Sequence, residues 1–183
     1  MYTLFSKKRA RSGFWMKRKK IDPFGAEEKS AVRASMKTLV PLIRDTVQNG
    51  GTFRLITAGT SMKPLLRDRT DTVVLKKALL PLKRYDIALY RRPNGQYVLH
   101  RVIKCEKNGT YTLCGDNQLL PEKGVRDDAV IAVVSHIERG ERTVRLDGAG
   151  YKIYVFFWCR CFFIRRFVLK LRAAYEKIKK HGK

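Results

Sequence analysis

The stretch YVLHRVIKCEKNGTYTLC, residues 97–114, decides the fold of this chain. Both halves of it are rich in β-branched, aromatic and other apolar residues, a composition that favours strands. The Asn-Gly step at 108–109 is the strongest short signal for a two-residue β-hairpin. A turn there sets Cys105 opposite Thr112, so the stretch predicts two antiparallel strands and no obvious disulfide between Cys105 and Cys114.

Further short segments with β character lie on either side of this hairpin, and turn residues separate them. The segments are 53–57, 72–75, 86–90, 97–104, 110–114 and 129–134. Many short strands at such spacing are typical of an all-β barrel or folded sheet. We therefore expect a mainly β domain over 51–148.

The N-terminal part predicts an arm followed by a helix. Residues 1–25 are basic and are expected to form a poorly ordered arm. Within 26–50, apolar residues recur every three or four positions up to an Asn-Gly-Gly step, which predicts one helix. Pro41 should kink this helix or mark a restart.

Residues 149–183 are both aromatic and basic, and two interpretations of them stay open. The longest unbroken apolar run, 153–159, is much shorter than the roughly 20 residues that a membrane-spanning helix needs. One interpretation is a helix lying in the membrane interface. This interpretation fits the sequence better, although on a helical wheel the cations do not fall on one face, which weakens it. The other interpretation is a helix packed on the sheet.

The charge of the chain is extreme, with 40 Lys and Arg against 16 Asp and Glu, a net charge of +24. Such an excess favours polyanionic partners, either nucleic acid or an anionic membrane surface. The first twenty residues contain no long apolar run, so we expect no secretory signal peptide and a location in the bacterial cytoplasm or at the membrane periphery. The four cysteines form no CxxC pair, and no metal or cofactor is expected.

Ser61 and His100 are the candidates for nucleophilic catalysis. Ser61 lies on a turn after a β segment, where its hydroxyl is accessible, and it needs a base within about 2.6–3.2 Å. His100 lies in an apolar strand, which shelters the imidazole and keeps it neutral. Backbone N–H groups of the turn, at Ser61 and Met62, could stabilise an oxyanion. The alternative is a histidine at the edge of the core and an ordinary turn serine.

Five short motifs follow one another across the β region: SMKP at 61–64, an Asp-containing strand near 71–75, DIALY at 86–90, HRVI at 100–103 and GDN at 115–117. This ordered series resembles that of type I signal peptidases, which belong to the same serine-peptidase clan as LexA-type repressors. The resemblance covers about 53–134. It implies a folded β-sheet barrel and a serine endopeptidase that cleaves leader or signal-type peptides.

The resemblance also implies roles for individual residues. Ser61 matches the nucleophile of the family, and its N–H with that of Met62 would form the oxyanion hole. His100 stands where bacterial members carry a lysine base, and histidine there is similar to the archaeal and endoplasmic-reticulum branch. That branch orients its histidine with an acid, for which Glu122 ranks slightly above Asp116. Asp116 could instead hold its loop together.

Two features differ from those relatives. We expect no N-terminal membrane anchor of the kind typical of signal peptidases, and a single helix cannot supply a helix-turn-helix unit. A LexA-like regulatory or DNA-binding protein and a catalytically inactive β scaffold therefore remain alternatives. The expected partners are a peptide or protein with a leader segment and an anionic membrane surface, with nucleic acid less favoured.

Overall fold

The structure is a computed structural model that describes residues 14–21 and 27–181, with side chains from residue 34 onward except for parts of the last helix. The strands are β1 (Phe14–Ile21), β2 (Glu27–Ala34), β3 (Phe53–Ile56), β4 (Thr72–Lys76), β5 (Ile87–Arg91), β6 (Tyr97–Cys105), β7 (Tyr111–Cys114), β8 (Glu122–Val125), β9 (Val130–Arg139) and β10 (Arg142–Arg145). The helical elements are α1 (Met36–Gln48), a 3₁₀ turn (Asp127–Ala129), α2 (Ala149–Tyr154), a π-helical segment (Val155–Arg160) and α3 (Phe162–His181).

One antiparallel sheet contains all of these strands, in the order β2-β1-β3-β4-β9-β5-β6-β7-β8, with β10 paired to β9. The long strand β9 joins two parts of the sheet, because it pairs with β4 and also with β5. Within the described ranges, the end strands β2 and β8 do not pair with each other. The mainly β class is confirmed, whereas the expected barrel is not closed.

Two apolar clusters form the core. The larger one packs the apolar stripe of α1 against β3, β4 and β9, and it includes Met62, Leu65 and Leu66 from the segment after β3. The smaller one lies among β5, β6, β7 and β9. The stripe of α1 consists of Met36, Leu39, Val40, Ile43 and Val47, which recur at helical spacing.

The prediction of one helix over 26–50 was wrong in its first part. Residues Glu27–Ala34 form β2, which pairs with β1, so part of the expected arm is a strand as well. The helix begins at Met36 because Ser35 caps it, its hydroxyl accepting from the N–H of Thr38 at 3.4 Å. It continues through Pro41. The rest of the expected arm, at 1–13 and 22–25, lies outside the described residues.

The predicted hairpin is present, but its register is shifted by one residue. Cys105 pairs with Tyr111 and not with Thr112. The N–H of Gly109 donates to the carbonyl of Glu106 at 3.3 Å, and Gly109 has a φ of +75°. This is a three-residue loop with glycine in the left-handed region, which moves the pairing relative to a two-residue turn. All four cysteines are free thiols.

The C-terminal helices pack against the loop that follows β7. The side chain of Arg165 in α3 is only 1% exposed, and it donates to the carbonyl of Gly115. Tyr154 and Trp158 contact the next residue, Asp116. None of the helices in the described ranges has the length and apolar character required to cross a bilayer.

Candidate active site

Ser61 lies on a turn that is held in place by the burial of Met62 and by hydrogen bonds on either side. The turn follows β3 and begins at Ser61, which is half-buried, while the next side chain, Met62, is 4% exposed in the larger cluster. The N–H of Leu66 donates to the carbonyl of Met62 at 2.9 Å. Upstream, the N–H of Gly59 donates to the Asp68 carboxylate at 2.7 Å. These contacts place Ser61 at a defined position on the wall of a pocket of about 460 Å³.

His100 lines the same pocket from the other side. It lies in β6 opposite Ala88 of β5, and its side chain is 1% exposed. Burial disfavours the imidazolium and lowers the pKa of His100 to about 4, although the nearby Glu122 carboxylate raises it. The imidazole is therefore neutral near pH 7, which is the form that can accept a proton.

Gly115 brings the serine turn and the histidine together. An ideal Cβ on this glycine would lie 2.6 Å from the carbonyl oxygen of Ser61 and 3.1 Å from His100 Nε2. The Ser61 carbonyl is also held by the N–H of Asn117 at 2.7 Å. The Nε2 edge of His100 therefore faces the serine turn across a gap that only glycine can occupy.

The Ser61 hydroxyl and His100 do not hydrogen-bond to each other in the described part of the chain. Catalytic hydrogen bonds of this kind are often long before substrate binds and tighten in the complex. The structure thus brings Ser61 and His100 to the walls of one pocket, without a hydrogen bond between them.

Glu122 lies at the other edge of the imidazole. It begins β8, and its Oε1 is 3.2 Å from His100 Nδ1. Its second oxygen accepts from the Tyr90 hydroxyl at 2.7 Å and from Arg92 Nε at 2.8 Å. Burial alone would raise the pKa of Glu122, but the hydrogen bonds from Arg92 and Tyr90 hold it below its ordinary value. Glu122 is thus an ionised carboxylate directed at His100.

This arrangement selects one tautomer of His100. The Tyr90 hydroxyl donates its proton to Glu122, and its oxygen lies 3.2 Å from His100 Nδ1. Two acceptor oxygens thus face Nδ1, so the ring proton lies there. Nε2 then carries the lone pair on the side of the Ser61 turn.

Asp116 has a different position from the one that an orienting acid requires. Its two carboxylate oxygens pair with Arg101 at 2.8 and 2.6 Å, and both side chains are fully buried. The Tyr154 hydroxyl donates to the same carboxylate at 2.8 Å, and Trp158 Nε1 donates to the Asp116 carbonyl at 2.9 Å. Asp116 therefore fixes its own loop, whereas Glu122 contacts the imidazole.

Known proteins add no further information about the site. No family model, no curated protein and no solved structure matches the chain.

The oxyanion-hole candidates lie in the same turn as the Ser61 side chain. The N–H of Lys63 donates to the Thr60 carbonyl at 3.2 Å, so it is committed to the turn. Within the described residues, the N–H groups of Ser61 and Met62 have no such backbone partner. They are the donors that the turn offers next to the Ser61 side chain. The described residues include no cluster of three or more histidine, cysteine and acidic side chains suited to a metal ion.

Sequence reasoning missed Tyr90 and Arg92, the two residues that hold Glu122. A signal for them exists, because alternate residues of a strand share a face. Ala88 of β5 pairs with His100. Tyr90 and Arg92 follow at two-residue steps, which puts them in line with the histidine.

Proposed function

We propose that this chain is a serine endopeptidase in which Ser61 is the nucleophile, His100 the general base and Glu122 the acid that orients His100. The observation that carries the proposal is the orientation of the imidazole. Glu122 holds Nδ1, and Nε2 faces the Ser61 turn. A nucleophile, a base and an orienting acid in this order constitute the triad logic of serine hydrolases.

The reaction follows from these positions. The Ser61 hydroxyl gives its proton to His100 Nε2 while Oγ bonds to the carbonyl carbon of the scissile peptide. The N–H groups of Ser61 and Met62 stabilise the negative charge that develops on the carbonyl oxygen. The carbon–nitrogen bond then breaks as His100 protonates the departing amine, which leaves an ester on Ser61. Water, deprotonated by His100, cleaves the ester and restores the hydroxyl.

The charges around His100 suit both halves of this cycle. Before attack, burial keeps the imidazole neutral. During attack, the imidazolium forms beside the ionised Glu122, whose charge favours it. Arg92 keeps Glu122 ionised and restricts its rotation through two hydrogen bonds. In this proposal Ser61, His100 and Glu122 form a triad, and Arg92 is the cation that supports its acid.

The substrate class that we propose is a leader or signal-type peptide, cut after a short side chain. The ordered motif series supports this class, together with the mainly β sheet that carries His100 and Glu122. The pocket beside Ser61 is walled by the apolar side chains of Met62, Leu66 and Leu99. Such walls suit a small apolar residue next to the scissile bond.

A fluorophosphonate probe, which reacts with activated serines, tests the nucleophile. Wild type should label, and Ser61→Ala should lose both labelling and cleavage of a leader peptide. Ser135→Ala is the matched control, because Ser135 also lies next to a histidine, with its Oγ 2.7 Å from His136 Nδ1. Labelling that persists in Ser61→Ala, or disappears in Ser135→Ala, would contradict the assignment.

The net charge of +24 favours a second candidate, a LexA-like regulatory protein that binds DNA. It predicts sequence-dependent DNA affinity that falls steeply with salt. Weak and uniform DNA binding would report only the charge. An unlabelled Ser61 without sequence-specific DNA binding would leave the inactive β scaffold.

A further inference from the structure

The C-terminal helices expose a large apolar surface. We call it the aromatic face, and it consists of Ile153, Phe156, Phe157, Phe163, Phe167 and Leu171. Phe163 is 73% exposed and Phe167 is 63% exposed. Isolated apolar side chains on a surface need no explanation, but several exposed phenylalanines on successive helical elements mark an interaction site.

Arg165 is not one of the outward-facing side chains of α3, and the side of α3 opposite to it is apolar. Arg165 faces inward and contacts Gly115, so it is not part of the outer surface. On the opposite side, Phe163, Phe167 and Leu171 follow one another at four-residue steps and are all exposed. A helical wheel that counts Arg165 among the outer cations hides this amphipathic pattern.

Cations accompany the aromatic face, and acids do not. Arg160, Arg166 and Lys170 are exposed, and the Arg160 guanidinium lies 6.0 Å from the Phe156 ring centroid. The sequence has no acidic residue between Asp147 and Glu176. The segment between Asp147 and Glu176 thus combines exposed aromatic rings with positive charge.

We propose that the aromatic face docks on the surface of an anionic lipid bilayer. Phenylalanine rings bury at the boundary between headgroups and acyl chains, and arginine and lysine pair with lipid phosphates. A protein partner would have to offer an apolar groove with an acidic rim, whereas an anionic bilayer offers both features everywhere. The proposal does not depend on the peptidase activity, because it rests on the C-terminal helices alone.

Vesicle flotation of the full chain tests the proposal. Vesicles of phosphatidylglycerol and phosphatidylcholine should carry the wild type, whereas vesicles of phosphatidylcholine alone should carry much less of it. The double variant Phe163→Ser/Phe167→Ser should lose roughly tenfold or more in partitioning. Leu79→Ser/Leu80→Ser is the matched control, since both leucines are exposed, at 75% and 50%, but lie in the loop between β4 and β5. It should float like the wild type.

The basic N-terminal residues add attraction that both double variants share, so the difference between them isolates the aromatic face. A further variant, Arg166→Glu/Lys170→Glu, reverses the charge of two exposed side chains and should also weaken flotation on anionic vesicles. Equal flotation of the wild type and the phenylalanine variant would overturn the proposal. So would a wild-type dimer in light scattering that the same variant converts to a monomer, because a second copy would then cover the face.

Discussion

Gly115→Ala is the most direct perturbation of the proposed site, because it adds one methyl group between the nucleophile turn and the base. The new Cβ would lie 2.6 Å from the Ser61 carbonyl oxygen and 3.1 Å from His100 Nε2. The nearest of these atoms belongs to backbone, so a side-chain rotation cannot relieve the clash. The turn that carries Ser61 must move away from His100, or the imidazole must leave Glu122.

The size of the effect follows from the distance. Ordinary van der Waals contact begins near 3.4 Å, so the Ser61 carbonyl has to move outward. A shift of about 1 Å at a catalytic group costs roughly 10²-fold in rate. The same shift stretches the bond from the Asn117 N–H and overpacks the site, which should lower the free energy of unfolding by about 1–3 kcal/mol. We expect the rate of fluorophosphonate labelling and the kcat for peptide cleavage to fall together.

Gly150→Ala is the matched control, because a Cβ at this helical glycine meets nothing within 4 Å. Both variants are assayed at a temperature where circular dichroism and urea titration show them fully folded, so that loss of stability is separated from loss of rate. Gly150→Ala should label like the wild type. If folded Gly115→Ala also labels at the wild-type rate, then Ser61 and His100 do not act across this glycine, and the proposed dyad is wrong.

Four further predictions concern the charged groups of the site. Glu122→Gln should lower kcat by about 10²–10⁴-fold in folded protein, because the imidazole loses its orienting acid. Asp116→Asn should act mainly on stability, costing about 3–5 kcal/mol in urea unfolding, because it leaves Arg101 buried without its anion. Since the pKa of His100 lies at about 4, kcat/KM should stay level from neutral pH to about pH 5 and then fall as the base is protonated. Because the pKa of His100 is lowered on folding, the unfolded state binds the imidazole proton more readily than the folded state. The free energy of unfolding should therefore drop by about 3 kcal/mol between pH 6.5 and pH 4. His100→Gln should abolish that part of the drop.

The sequence was sufficient to propose the candidate site residues. It was not sufficient to predict where the helix begins or how the strand that carries Glu122 pairs. The resemblance pointed to Ser61, to His100 and to two candidate acids, Glu122 slightly ahead of Asp116. The structure places Ser61 and His100 on one pocket and Glu122 beside the imidazole. The start of α1 was misplaced because apolar periodicity does not report the cap at Ser35. Glu122 lies outside the β segments that the sequence predicts, yet it begins β8, a short strand whose EKGV sequence lacks β character. Its pairing with Leu113 is a tertiary effect that local propensity does not contain.

The choice between the two acids depends on a property of strands that the sequence does contain. His100 and Arg101 are consecutive in β6, so their side chains point to opposite faces of the sheet. Each needs hydrogen-bond partners on its own face, because both are almost fully buried. Arg101 carries a permanent charge and takes Asp116 as a bidentate partner, which leaves Glu122 for the neutral imidazole. A buried His-Arg pair on one strand therefore needs partners on both faces of the sheet, and an acid engaged by the arginine on one face is unavailable to the histidine on the other.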